Sequence, residues 1–406
     1  MSFRRMILGS AAALVAVSGA QAADLPMAEP VDYVRICDFD GWGAGIQIPG
    51  TETCLKISGY VRTQIDYVEP ANRSDDAIQF YSKGYLKFDA INDTEYGVLR
   101  SVIDFGGTGG SELKLGKAYL QFNGFTMGYA GSFFDYTTGA GFYDGPASDA
   151  TSKLFAYTYA GGNGFSATLS LEDNEARRGD KIIVLERNGA ALAGIEVDAN
   201  FTVGGVTVAT IYGGKAMPDI VANARISQGW GTIQLSGAVH QLRSAIADVT
   251  ISGVNHKLDT TYGYAAGLGT TFNIMSGTSL SLQGQYTVGA TSYAGFGDSD
   301  VTLDYDVVAK TLDLKRNKAW SALAALTHAW SSTVSQDFHV GYGSFDAPTA
   351  LHDKTQLRLG TRVNYTGISG LYVGAGVGWT RTDYSSASGK ADADTFNARL
   401  RVQRNF

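Results

Sequence analysis

The chain has 406 residues, enough for one large β-structure or for two to three ordinary domains. Only 17% of them are charged, and 51 glycines, 22 tyrosines and 19 phenylalanines against 7 prolines suit a β protein better than a helical one. The formal charge of −7 speaks against a nucleic-acid partner, and no stretch beyond the N-terminus approaches the ~18 apolar residues of a transmembrane helix.

The first elements are a leader and a cysteine pair. Arg4 and Arg5 form a basic start, "MILGSAAALVAVSGA" an apolar run and Ala20-Gln21-Ala22 an A-x-A site, so residues 1–22 read as a secretory signal cleaved between Ala22 and Ala23. Losing both arginines takes the formal charge from −7 to −9. Residues 23–54 then form a periplasmic N-terminal segment carrying both cysteines, Cys37 and Cys54. In an exported chain a disulfide between them is the expectation. Two free thiols or a metal pair are the alternatives, although two cysteines with no histidine nearby make a poor zinc site.

From Cys54 onward the sequence alternates. In "CLKISGYVRTQIDYV" Leu55, Ile57, Val61, Ile65 and Tyr67 share one parity, while Lys56, Ser58, Arg62, Gln64 and Asp66 share the other. Period 2 means a strand with one apolar and one polar face. Similar segments follow at 79–91, 95–105, 114–122, 125–134, 153–160, 165–172, 219–229, 232–242, 263–273, 279–289, 318–330, 336–345, 355–366, 371–382 and 395–406, sixteen with the first. Their connections alternate strictly between short ("NG" at 123–124, "WG" at 230–231) and long (135–152, 173–218, 290–317). A soluble sandwich has no reason to do this, whereas a membrane barrel puts short turns on the periplasmic side and long loops outside. The expected fold is therefore all-β: a sixteen-stranded antiparallel transmembrane barrel over residues 55–406.

Three features support lipid on the apolar side. All seven prolines fall outside or at the edge of the strands, as a closed hydrogen-bond ladder requires. The apolar parity of the first three strands carries no interior charge, and such a charge at mid-bilayer costs roughly 2–4 kcal/mol. Outward aromatics form two girdles near the strand ends, with Trp320 and Trp330 ten residues apart on one strand, the span of a tilted crossing of ~9–11 residues. The polar parity then lines a lumen that sixteen strands leave open to water.

At this point "IPGTETCLKISGYVR", "LRSVIDF", "PDIVANARISQGWG" and "RLRVQRNF" together resemble the general porins of alphaproteobacteria, along the whole mature chain. The resemblance implies a homotrimer in the outer membrane, in contact with its lipid and lipopolysaccharide, passing small hydrophilic solutes and ions through pores narrowed by a third external loop folded inward, between strands 5 and 6. It also implies an assembly signal at the terminal Phe406, although Arg404, third from the end, departs from the usual apolar residue there.

Projected inward, the basic residues are Lys56, Arg62, Lys83, Lys87, Arg100, Lys117, Arg225, Arg358, Arg362, Arg399 and Arg401, mostly on strands 1–4, 14 and 16, which meet on closure. Arg62, Lys87, Arg100, Arg362, Arg399 and Arg401 are the expected constriction wall. Arg62 and Arg100 are expected mid-strand, and Lys56 nearer the periplasmic mouth. The inward acids are Asp66, Asp89, Asp104 and Asp337, and the third loop carries Asp135, Asp144 and Asp149 without a basic residue. Loop acids opposite wall bases would set a transverse field that orients polar solutes.

Catalytic and cofactor signals are weak. His240 and His339 read as lumen-facing with no evident partner acid, and the alternating Gly374, Gly376 and Gly378 have no helix after them, unlike a dinucleotide loop. No catalytic, metal or cofactor residue is assigned. The leading reading is a passive diffusion channel. A substrate-specific sugar or phosphate channel is the alternative, because Tyr60, Tyr81, Tyr85, Tyr96, Tyr119, Tyr157, Tyr159 and Tyr372 project inward as a potential aromatic ladder; a barrel-based enzyme ranks below both.

Overall fold

A computed structural model of the chain describes residues 35–39, 41–136, 145–178, 182–188, 191–197, 201–203, 206–208, 214–243, 248–251, 253–297, 299–306 and 308–406. The leader with its Ala22–Ala23 cleavage pair lies outside the described residues, as does the loop residue Asp144.

The alternating segments form sixteen strands: β1 (Cys54–Val68), β2 (Ile78–Thr94), β3 (Gly97–Thr108), β4 (Lys114–Phe122), β5 (Phe125–Gly131), β6 (Thr151–Gly162), β7 (Phe165–Glu172), β8 (Asp219–Gln228), β9 (Gly231–Leu242), β10 (Thr261–Met275), β11 (Thr278–Val288), β12 (Lys318–Ala329), β13 (Val334–Asp346), β14 (Lys354–Ile368), β15 (Leu371–Tyr384) and β16 (Ala393–Asn405). Each pairs antiparallel with its sequence neighbours, and β16 closes on β1 with a register running from Asn397↔Val68 to Asn405↔Tyr60. Closure removes every sheet edge, so the backbone satisfies its own hydrogen bonds within a bilayer. The last residue completes the seam: Phe406 N–H donates to Gly59 O at 3.0 Å, and its carbonyl accepts from Gly59 N–H at 2.9 Å. A side chain at Gly59 would lie 2.9 Å from the Phe406 ring, so the terminal ring is seated on a glycine.

The outer face is apolar and uncovered. Val61, Phe80, Leu235 and Leu268 are each more than half exposed, which in water would be an aggregation surface and in a bilayer is the solvated side. Girdle aromatics meet across strands, Tyr67 with Phe396 and Trp230 with Phe272. Tyr157 and Tyr159, expected in the lumen, belong to this outer face: both are exposed, and Tyr157 packs 4.9 Å from the outward Phe125 ring. On β6 it is Ser152, Leu154 and Ala156 that turn inward and become buried.

Among the described residues, four further β-elements lie beyond the sixteen strands. Residues Ile36–Phe39 and Gly43–Gln47 form a hairpin whose second strand joins β1 through Ile46↔Leu55 and Gln47↔Cys54. Segments of two long loops, Ile182–Asn188 with Ala191–Val197 and Val301–Asp306 with Thr311–Arg316, build one four-stranded sheet, joined by a parallel pairing of Ile182–Asn188 with Val301–Asp306. In two shorter hairpins Phe201–Val203 pairs with Val206–Val208, and Asp248–Ile251 with Val254–Lys257.

The core sits inside the barrel, where the loop after β5 folds in against β8–β10. Phe134 is 2% exposed and packs on the inward Val221, Ala238 and Ala265, with the Tyr293 ring edge-on at 4.7 Å. Inward glycines make room for it. A Cβ at Gly267 would stand 3.1 Å from Phe134, one at Gly269 would overlap the Tyr136 ring, and Gly341 lies directly against Gly145. This seating ends β5 at Gly131, three residues short of the expected 134, because the chain must leave the ladder to enter the lumen.

Candidate functional site: the channel lumen

The inward loop divides the lumen into a filled side and an open side. The filled side is held by polar side chains that point inward from the strands beneath the loop. Asn223 Nδ2 donates to Phe133 O at 2.6 Å, Gln234 Nε2 to Asp135 O at 3.1 Å, and the Tyr136 and Thr271 hydroxyls lie 2.7 Å apart. Phe133 N–H donates to the buried Glu172 at 3.0 Å. These contacts give a local role to the stretch 218–231. Its inward residues are Asp219, Val221, Asn223 and Arg225, and the middle two touch the loop directly.

Asp135 is one of the three loop acids expected to face the wall, and it faces the opposite way. Its carboxylate accepts from Ser148 Oγ at 2.5 Å, Ala150 N–H at 2.7 Å and Arg177 Nη2 at 2.6 Å. Arg177 comes from a 3-10 turn after β7 (Asn174–Arg177), is buried, and stacks over Tyr293 at 4.2 Å. Burial works against this charge, yet the adjacent Asp135 carboxylate and the Tyr293 and Glu172 oxygens hold the guanidinium above its ordinary value. Asp135 is therefore an anchor of the loop, paired with a base 42 residues away that a reading of the loop alone does not find. Asp149 is exposed and lines a cavity of about 410 Å³ with Lys117 and Arg225.

His240 is buried too. Its Nδ1 lies 2.9 Å from both carboxylate oxygens of Asp219, and the Tyr293 hydroxyl donates to the same carboxylate at 2.7 Å. The partner acid that the sequence did not reveal is thus on the neighbouring strand, and the pair lies under packed loops instead of facing water. His339 is likewise inward but buried, with its ring over Gly360.

The open side carries the basic wall, which resolves into two groups. Near the closure seam, Arg399 holds both carboxylate oxygens of Asp66, through Nε at 2.6 Å and Nη2 at 3.0 Å, and Arg362 donates Nε at 2.7 Å and also Nη2 to a single oxygen of Asp337. Arg401 donates to Gln64 at 3.0 Å and Arg62 to Gln403 at 2.7 Å. Arg62 also lies over the Tyr60 ring, which stacks on Tyr85 at 4.9 Å. Arg62, Arg362 and Arg401 share one cavity of about 520 Å³. Four guanidiniums here meet two carboxylates, so the patch keeps a positive excess, and Arg stays charged at any working pH.

The second group surrounds Asp89. Arg100 binds it through Nε at 2.8 Å and Nη2 at 2.7 Å, Lys87 at 2.9 Å, and the Trp42 indole N–H at 3.0 Å. The expected mid-strand position of Arg100 is incorrect. It is the fourth residue of β3, and the registers Ile91↔Arg100 and Cys54↔Ile91 put it on one ladder line with the start of β1, toward the periplasmic end of its strand and beside Lys56 in one cavity. Arg62, paired with Lys83, lies well above it. The wall residues of the sequence reading are all inward, but they do not form one cluster. The short approach of Cys37 to Cys54 is a disulfide, with a Cα–Cα distance of 5.9 Å.

Comparison with known proteins gives this geometry its context. Over 282 residues, covering 59% of this chain and 66% of the relative, the sequence is 34% identical to porin Omp2a of Brucella suis biovar 1. It is 36% identical to porin Omp2a of Brucella abortus strain S19 over 240 residues, 57% of this chain and 60% of that one. The solved outer membrane channel DcaP of Acinetobacter baumannii superposes with a TM-score of 0.68 at 16% identity, over 89% of this chain and 99% of that one, a likeness of fold. The anion-selective porin of Comamonas acidovorans has a TM-score of 0.54 at 13% identity, over 87% of this chain and the whole of that one. A family model described as a porin subfamily matches residues 24–401, ending within β16. A match of that extent, on a closed sixteen-stranded barrel with its loop folded inside, places this chain in the porin subfamily.

Proposed function

We propose that the chain forms a passive, water-filled channel in the outer membrane, through which small hydrophilic solutes and ions diffuse. The observation that carries this reading is the division of the lumen: a loop packs dry against one wall, and the opposite wall keeps its charged side chains in a polar, open space. A closed barrel with an apolar exterior satisfies its backbone in lipid, so the interior is the only polar route across. A solute passing the seam meets Arg62, Arg362, Arg399 and Arg401 on one side and the inward loop on the other. Its lost water is replaced by fixed charges, whereas a bulky apolar solute gains no such replacement.

The positive excess at the seam and around Asp89, with Asp135 withdrawn into the loop, favours anions over cations of equal size. The aromatic ladder that would support a sugar-specific channel loses two rungs, since Tyr157 and Tyr159 face outward. The channel works as a homotrimer in this reading; OmpT of Vibrio cholerae, solved in a trimer form, shares the barrel fold at a TM-score of 0.53 and 12% identity over 88% of this chain and the whole of that one. Reconstitution into planar bilayers tests the proposal. It predicts stepwise, non-saturating conductance that grows with salt, and saturation by one sugar or phosphate ester at low concentration would instead establish a specific channel.

A further inference from the structure

The N-terminal hairpin is an element near the rim that the barrel does not need for closure. Its turn passes through two glycines in the left-handed region, Gly41 at φ 73° and Gly43 at φ 87°, and delivers Trp42 between them. The Trp42 N–H donates back to Phe39 O at 3.0 Å, closing the turn. The indole then folds over Gly45, where a Cβ would stand 2.9 Å from the ring, so that position admits only glycine. From there it reaches the inner wall. Its Nε1–H donates to Asp89 at 3.0 Å, and Lys56 Nζ donates to the Trp42 carbonyl at 3.1 Å while lying 5.6 Å from the ring centroid. Asp89, already held by Arg100 and Lys87, is a rigid acceptor, so the ring is held by an oriented bond.

The disulfide adds a second constraint. The hairpin touches β1 through only two register pairs, Ile46↔Leu55 and Gln47↔Cys54. Cys37 sits on the far strand, opposite Gly45, and its bond to Cys54 ties that strand to the base of β1 as well. Both strands of the hairpin are thereby fixed to the barrel, and Trp42 borders a cavity of about 840 Å³ whose other side is lined by Gln121, Thr126 and Phe133. This cavity is the open lumen at the level of Lys56 and Arg100, below the seam arginines.

We propose that Trp42 is a second, exit-side selectivity element of the channel, a bulky ring held across part of the periplasmic mouth by Asp89 and by the Cys37–Cys54 staple. It limits solutes by cross-section after the seam arginines have sorted them by charge. The inference rests on the channel reading and is tested separately from it. Unitary conductance and the rate of a neutral oligosaccharide series are measured on the full barrel, for wild type and for Trp42→Ala, each before and after a membrane-impermeant phosphine reductant on the periplasmic side.

Removing the ring should raise the passage of the largest permeant sugar roughly twofold while leaving ion preference in a salt gradient unchanged. Reducing the wild-type channel should reproduce much of that rise, and reducing the Trp42→Ala channel should add nothing further. Should the variant assemble poorly, reduction of the wild-type channel alone still reads the same effect. Equal sugar rates in wild type and Trp42→Ala, or an equal response of both to reductant, would overturn the assignment. Absence of any wild-type conductance would instead defeat the channel reading itself.

Discussion

The two sides of this barrel share one outward pattern and differ inside. Along β8–β12 the inward positions are Asn223, Gln234, Ser236, Thr271, Ser281 and Ser321, small or amide side chains, most of them buried under the loops. Along β1–β3 and β13–β16 they include Lys and Arg side chains that keep part of their exposure, paired with Asp carboxylates that are largely buried. The difference is what covers them. A side chain facing lumen water keeps part of its hydration, so charge is tolerated there and ion pairs contribute little to stability. A side chain facing a packed loop loses that water, so each polar atom needs a partner, and glycines are required where a ring lies flat on the wall. In the proposed channel, charge on one side governs solutes, while polarity on the other holds the inward loop.

Substitutions on the two sides should therefore fail in different ways. The largest effect is expected at Arg177. Replacing it by alanine leaves the largely buried Asp135 carboxylate without its cation, at a cost of about 3–5 kcal/mol to loop seating. Hydrogen exchange should show faster amides at 132–136 and 145–150, with the strands unchanged. The same substitution at Arg62, whose partner is the neutral Gln403, should shift thermal stability by under ~1 kcal/mol. Comparable losses at both positions would remove the distinction between the two sides.

A smaller effect is expected from the glycine floor. Gly269→Leu places a side chain where the Tyr136 ring lies, and such overpacking costs roughly 1–3 kcal/mol. The Tyr136–Thr271 hydrogen bond should be lost and the loop displaced toward the open side, lowering conductance. Gly389, whose surroundings are open, should accept alanine with no effect on conductance, although its left-handed backbone at φ 67° carries a local cost.

The smallest effect concerns pH. Burial would raise the Asp173 carboxyl, but the Lys215 ammonium and the Glu175 N–H outweigh it and hold it below its ordinary value. A depressed carboxyl contributes stability that is complete above the unfolded aspartate pKa of about 3.9 and fades as pH falls through the lower folded value. Proteolytic nicking of the 173–218 loop should thus rise only in strong acid, and Lys215→Met should remove that dependence.

How much of this the sequence revealed follows the same division. All sixteen strands were legible because lipid on one side and water on the other enforce period 2 along most of each strand, as in Leu55–Tyr67. Parity became unreadable where the loop fills the lumen. On β6 both faces are apolar, Leu154 and Ala156 toward the loop and Phe155 and Tyr157 toward lipid, so Tyr157 and Tyr159 were set on the wrong side. Pairings across long separations were not legible either. Asp135 with Arg177 depends on where a 3-10 turn lands, and Asp219 with His240 on a strand register. Arg100 was misplaced in height because its strand starts at Gly97, two residues later than the alternation implies. The cysteine pair, by contrast, needed only the leader and a count of two.

The central claim is that the seam arginines set the channel's selectivity from an open wall while the loop serves as scaffold. The most direct measurement is the zero-current potential across a planar bilayer with a tenfold salt gradient, for wild type and for Arg62→Ala/Arg401→Ala. The account predicts anion preference in wild type, a shift toward cations in the double variant, and a larger shift at low salt, where the screening length is about 30 Å against about 10 Å at 0.1 M. A cation-selective wild type whose potential does not move when both arginines are removed would contradict it.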